Sequence, residues 1–163
     1  GGKVPDERYP ASFALLLNLV SASNAHNRDV LWGFIRAYAP GASPEANPGL
    51  EKLVGFALRY YEDFVKPTKV FRAPTDQERA ALEDLAARLD ALGDERDSTA
   101  VQNIVYEVGK AHNFEPLRAW FGALYEVLLG QSQGPRFGSF AALFGCAKTA
   151  AMIRSALAGE FLK

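Results

Sequence analysis

The stretch Leu124-Tyr-Glu-Val-Leu-Leu-Gly-Gln-Ser-Gln-Gly-Pro-Arg-Phe-Gly-Ser-Phe140 decides how this chain is read. Its first half is an amphipathic helix that Gly130 stops, and its second half is a short polar turn carrying Arg136 and Phe137 before the next apolar run begins. Helix, glycine stop and polar corner, repeated along a chain, make an all-α protein. A cation and an aromatic ring on a corner held between rigid helices also suit contact with a few unpaired nucleotides. An ordinary helix–helix corner needs the same glycines, so the remaining sequence has to weigh the two.

On either side of this stretch the apolar spacing is helical nearly everywhere. Phe13, Leu16, Leu17 and Val20 share one face of a first helix, and Leu31, Phe34, Ile35 and Tyr38 one face of a second that starts at the N-cap candidate Asn27 and stops at Ala39-Pro40-Gly41. Leu50, Leu53, Val54, Ala57, Leu58, Tyr61 and Val65 predict a long third helix ending before Pro67. Thr75 with Glu78 forms a capping box for a fourth helix closed by Gly93, and Thr99 with Gln102 predicts the same device for a fifth that runs toward His112. A sixth helix begins near Pro116 and ends at Gly130; a seventh and an eighth cover about Phe137–Phe144 and Ala147–Leu157. No convincing strand appears, and no repeat of a solenoid kind. The acidic stretch Asp94–Asp97 marks the internal boundary, dividing helical subdomains at 1–95 and 96–163.

The 163 residues, 48% apolar and 12% aromatic, are enough for a real core and exclude a disordered or low-complexity chain. No run reaches the roughly 18 apolar residues of a membrane span. The run Phe13–Val20 imitates a signal-peptide core only faintly, since Asp6 and Glu7 precede it and Asn18 interrupts it. Gly1-Gly2 without a methionine reads as a cleavage scar, as expected for a piece of something longer. Cys146 is the single cysteine, in a helical, Ala-rich setting that suggests a buried thiol in a reducing compartment. His26 and His112 stand at no metal-ligand spacing, so no metal is expected. The net charge of −1 hides a basic start (residues 1–74, nine cations against seven acids), an acidic middle (75–115, four against ten) and a basic end (116–163, five against two). Bulk charge alone therefore does not argue for a polyanion.

No catalytic constellation is visible. Glu62-Asp63 and Glu83-Asp84 are helical neighbours pointing about 100° apart, so neither pair converges as an acid/base couple. There is no nucleophile elbow and no phosphate-cradling glycine loop. Trp32, Tyr60, Tyr61, Trp120 and Phe121 fall on helical faces, where core packing is the expectation. Lys66, Lys69 and Arg72 lie on a proline-stiffened loop and suit either phosphate contact or plain solvation. In the turn, Gln131, Ser132 and Gln133 offer donors and acceptors and Arg136 a fork; Phe137 is free to stack on a base, or with Phe140 to cap the core of the seventh helix.

Ser12-Phe-Ala-Leu-Leu-Leu-Asn-Leu-Val-Ser21, Leu31-Trp-Gly-Phe-Ile35, Tyr60-Tyr-Glu-Asp-Phe-Val65, Tyr106-Glu-Val-Gly-Lys110 and Gly130–Phe140 resemble the C-terminal part of class I lysyl-tRNA synthetases. The segment Tyr106–Leu157 is also similar to the last helical subdomain of glutamyl-tRNA synthetases. The resemblance implies an α-helix cage that grips a tRNA anticodon, in a cytoplasmic enzyme whose catalytic domain lies upstream and uses ATP. The nucleotide-binding signatures of that domain are absent here, so this piece is expected to hold no cofactor or catalytic residue and to work with lysine tRNA and the upstream domain as partners.

Carried over position by position, the glutamyl pattern points to Tyr125, Gln131, Gln133, Gly134, Arg136 and Phe137 for anticodon contact. Where that pattern has a basic residue this chain has Tyr125, whose ring suits stacking on uridine. Lys66, Lys69 and Arg72 are the candidates for the RNA backbone. The rival expectation is a helical scaffold that binds protein through an amphipathic groove, with Arg136-Phe137 a structural corner.

Overall fold

Side-chain caps begin α1, α2, α4 and α5 in the computed structural model, which describes residues 12–23 and 27–162. His26, Asp6, Glu7 and Gly1-Gly2 lie outside the described residues. The elements are α1 (Phe13–Ser23), α2 (Arg28–Tyr38), α3 (Pro48–Tyr60), α4 (Asp76–Leu92), α5 (Ser98–Ala111), α6 (Arg118–Leu124), α7 (Phe137–Phe144) and α8 (Cys146–Leu157). No strand occurs among the described residues, and the fold is all-α. Asn27 caps α2 by accepting from the Val30 N–H at 3.0 Å. Thr75 and Glu78 form the expected reciprocal box at the start of α4. Each such cap satisfies a donor that the first helical turn leaves unpaired and contributes about 1 kcal/mol.

Three boundaries differ from the sequence expectation. The third helix does not run to Val65 as an α-helix: it passes into a π turn, Tyr61–Val65, and then a 3₁₀ turn, Lys66–Thr68. Helix α6 likewise ends in a π turn, Tyr125–Leu129, before Gly130. At the start of α5 the Thr99–Gln102 box is not formed. Asp97 is the cap, accepting from the Thr99 N–H at 2.9 Å, while the buried Gln102 amide turns away and its Oε1 accepts from the Gly138 N–H at 2.6 Å. Tertiary packing thus takes Gln102 from its own helix to close the N-terminus of α7.

Helix α7 is the centre of the molecule. Phe137, Phe140, Ala141, Leu143 and Phe144 are all buried, and α7 is touched by α1, α2, α5 and α8. A Cβ at Gly138 would stand 2.6 Å from the Gln102 backbone nitrogen, so α5 and α7 approach backbone to backbone there, which only glycine permits. Around this centre α4 lies along α8 and α1 along α3. One hydrophobic core joins them all, running without a break across the 95/96 boundary. Each fully buried aliphatic or aromatic side chain in it contributes about 1.5–3 kcal/mol, so the outer elements are firmly seated. No single described helix is long and apolar enough to cross a membrane.

Candidate nucleic-acid interface

The two π turns face one another across an open groove of about 520 Å³. A π turn inserts one residue into a helical turn and commonly accompanies functional sites. On one side stand Tyr60 and Phe64, from the end of α3 and its π turn; on the other stand Glu126 and the segment Gly130, Gln131, Ser132 and Gln133. Val65, Thr68 and Val70 line the space between. The Tyr60 and Phe64 ring centroids are 5.0 Å apart, and Phe64 is 61% and Val70 75% exposed. Phe71 and Val70 tie the two sides together. The Val70 N–H donates to the Gly130 carbonyl at 2.9 Å, and Phe71 packs so closely over Gly130 that a Cβ there would meet the ring at 3.0 Å. Gly130 also sits in the left-handed region at φ 71°, so glycine is required on two grounds.

The turn beyond Gly130 is pinned from beneath by Tyr125. Its hydroxyl donates to the Pro135 carbonyl, its own carbonyl accepts from the Gln131 N–H at 3.2 Å, and its ring lies 3.0 Å from where a Gly134 Cβ would be. Tyr125 is only 8% exposed, and burial pushes its hydroxyl pKa up to about 12. Phe137 is fully buried, 5.7 Å from Phe140. Neither ring offers a face to solvent, which corrects the expectation that they stack on a base: they shape the turn. Gln131, Ser132 and Gln133 line the groove, whereas Gly134 and Arg136 sit on the same turn outside it. Arg136 is exposed: its backbone carbonyl accepts from the Ser139 and Phe140 N–H groups, each at 3.1 Å, while its guanidinium makes no hydrogen bond or ion pair with a described residue.

The three loop cations part company. Lys66 is exposed, 3.8 Å from Glu62 one turn away. Lys69 instead reaches inward, donating to the Ser21 hydroxyl and to Tyr61 Oη, with its ammonium 4.9 Å from the Phe71 ring centroid. Burial, helped by the charge of Lys66, lowers its pKa to about 8. Arg72 is held between two carboxylates, with 2.7 Å to Glu78 and 2.6 Å to Glu126. Burial disfavours the Glu78 charge, yet the bonds from Arg72 and Thr75 outweigh it and hold the carboxyl below the usual range. Lys69 and Arg72, expected on the RNA backbone, are thus both engaged by side chains of the protein itself. Arg72 still matters to the groove, because it neutralises the lining carboxylate Glu126.

Sequence reasoning missed the groove's aromatic wall, since it assigned Tyr60 to the core and made nothing of Phe64. The signal was present: Phe56, Tyr60 and Phe64 recur every four residues, on the face beside the stripe of Leu50, Val54, Ala57 and Tyr61 that is buried. Among the described residues no group of His, Cys, Asp and Glu comes together as metal ligands.

With this geometry in hand, the comparisons with known proteins are specific. The chain is 54% identical over 162 residues to a lysine–tRNA ligase of Roseobacter denitrificans, an alignment taking in 99% of this chain and 31% of that protein. It is 41% identical over 157 residues to a lysine–tRNA ligase of Rickettsia felis, covering 96% of this chain and 30% of that one. A lysine–tRNA ligase of Rickettsia conorii is 42% identical over 145 residues, 88% of this chain and 28% of its own. The chain thus spans about 30% of the length of these relatives. No family model matches the sequence, and no solved structure matches it. Along nearly all of its length, this chain is homologous to a segment of the lysine–tRNA ligases.

Proposed function

We propose that this chain is the anticodon-binding part of a class I lysine–tRNA ligase, and that lysine activation with ATP resides in a domain upstream of it. The observation that carries the reading is the juxtaposition, across one open groove, of two exposed aromatic rings and three short polar side chains. A nucleobase needs both. Stacking on the Tyr60 or Phe64 ring is worth roughly 1–3 kcal/mol per base and is indifferent to sequence. The amides of Gln131 and Gln133 each carry a donor pair and an acceptor, which complement a base edge such as that of uridine, with its N–H between two carbonyls. Lys66 and Arg136, exposed at the margins, meet backbone phosphates; Lys69, Arg72, Tyr125 and Phe137 hold the walls in place.

Equilibrium binding tests this with fluorescently labelled lysine tRNA and an anticodon-altered copy; the label belongs on the RNA because Trp32 and Trp120 are both buried. Tight binding of the first with weaker binding of the second supports the reading, and Gln133→Ala should narrow that difference. The exposed apolar stripe on α3 favours the second reading, a protein-binding scaffold, and absence of binding to either RNA at low salt would select it.

A further inference from the structure

We infer that the RNA path leaves the groove along the outer face of α3, where Phe56 is a further stacking site and Lys52 and Arg59 meet phosphates of nucleotides flanking the anticodon. The inference rests on the anticodon reading of the groove and extends its footprint. Lys52, Phe56, Tyr60 and Phe64 stand four residues apart and form one stripe down the helix. Their rings make an unbroken ladder: Phe13 to Phe56 at 5.3 Å, Phe56 to Tyr60 at 6.1 Å and Tyr60 to Phe64 at 5.0 Å. Phe56 is 50% exposed although it is among the most apolar residues of the chain. Because neighbouring rings already touch, bases lie against their open faces rather than between them.

At the N-terminal end of α3 the ladder enters a second depression, of about 510 Å³, lined by Arg28, Gly49, Lys52, Leu53, Phe56 and Arg59. Arg28 is engaged by Glu51 and lies across Gly55, where a Cβ would come within 2.5 Å of the guanidinium. The side chains of Lys52 and Arg59 make no ion pair or hydrogen bond with any described residue. Of the acids on α3 and its π turn, Glu51 is engaged by Arg28 and Trp32, and Glu62 lies 3.8 Å from Lys66. Open π faces flanked by unpaired cations fit a polyanion with stacking bases better than an apolar protein surface, which would leave those charges without partners. From Phe56 to Phe64 the helix advances about 12 Å, room for about three stacked nucleotides at roughly 3.4 Å each.

The experiment measures the anticodon stem-loop of lysine tRNA and an anticodon-altered copy against the chain over a salt series, with circular dichroism as the check on folding. Phe56→Leu keeps an apolar surface and removes the π face. It should weaken both RNAs about tenfold and equally, leaving the ratio between them unchanged, while Phe56→Trp retains full affinity. The double variant Lys52→Gln with Arg59→Gln should reduce the slope of log affinity against log salt by about 1.4, roughly 0.7 per cation on single strands. If the unaltered chain discriminates the two RNAs but these variants change neither affinity nor slope, the ladder is not contacted and the inference falls while the anticodon reading stands. If the unaltered chain binds neither RNA, both fall together.

Discussion

The ends of α3 and α6 are built alike and used oppositely. Each helix finishes in a π turn with aromatic rings around it, and the two turns face each other across the groove. At the α3 end Tyr60 and Phe64 point outward; at the α6 end Tyr125 and Phe137 point inward and are almost wholly buried. The cause is the company each turn keeps. The α6 end lies against α1 and α8 and leads straight into the central α7, so its rings have a core to enter. The α3 end has α1 on one side, where Tyr61 turns in, and nothing among the described residues over its outer face, so Tyr60 and Phe64 stay out. Identical backbone devices therefore yield a buried, supporting wall and an exposed wall, the second being the one proposed to contact RNA, and variants that exchange their expected behaviour would break that proposal.

The largest effect should come from Phe137→Ala. Removing a fully buried ring costs about 3–5 kcal/mol through lost transfer energy and the cavity left behind. Thermal unfolding should report a midpoint lower by on the order of 10 °C. A shift of only a degree or two would mean that Phe137 is not a core residue and would return it to the list of stacking candidates.

Arg72→Leu comes next, since it strands the largely buried Glu78 and frees Glu126 on the groove wall. Leaving such a group unsatisfied costs about 1–3 kcal/mol. The pH dependence has a definite sign. Because the folded-state pKa of Glu78 is held below its ordinary value, its contribution is present above that ordinary value and is lost as pH falls through the depressed one. Urea unfolding of the two proteins should therefore differ most near neutral pH and converge in acid. A difference that persists unchanged into acid would show that the lost packing of the Arg72 stem, not the ion pair, carries the effect.

These two variants also mark what was legible beforehand. Helix number and order follow from periods of 3.6 and from side chains that cap locally, such as Asn27 and the Thr75–Glu78 pair, and these are sequence-local facts. The π turns are not local: one extra residue in a turn costs little and is chosen by what the turn must pack against. Gln102 fails as a cap for the same reason, because the N-terminus of α7 competes for its amide and wins. At the site, the loop chemistry of Gln131 to Gln133 was readable from glycine stops and polar side chains. Which rings face out was not, since Tyr125 sits on the last turns of a helix before Gly130 and Phe137 beside Gly138 at the end of a polar turn, and only the tertiary arrangement puts a core beneath them.

A smaller, pH-specific effect is expected from Lys69→Met. Lys69 braces the contacting wall from inside, bonded to Ser21 on α1 and to Tyr61. With its folded-state pKa near 8 against an ordinary 10.5, the unfolded chain holds more protons between those values, so stability should rise with pH through that window. The methionine variant should lack this rise. The lower part of the window is the informative part, because above about 10 Tyr61 and Tyr125, whose burial raises their pKa, make stability fall with pH. Parallel curves for the two proteins between 8 and 10 would mean that Lys69 keeps an ordinary ammonium and does not brace the wall as described.

The smallest effect on the fold should belong to Phe64→Ala, and that is its value. A side chain 61% exposed, on a turn whose inward contacts come from Tyr61 and Val65, has little to lose on truncation, so its stability should stay within about 0.5 kcal/mol of the unaltered chain. RNA affinity should nevertheless drop by about tenfold, the worth of one lost stacking face. Phe137→Ala, assayed at a temperature where it remains folded, should by contrast lose affinity only in so far as the turn above it loosens. The two phenylalanines are thus expected to separate stability from binding in opposite senses. Should Phe64→Ala leave binding intact while Phe137→Ala abolishes it in a fully folded protein, the contacting wall would be the α6 end after all, and the groove would have to open before RNA enters.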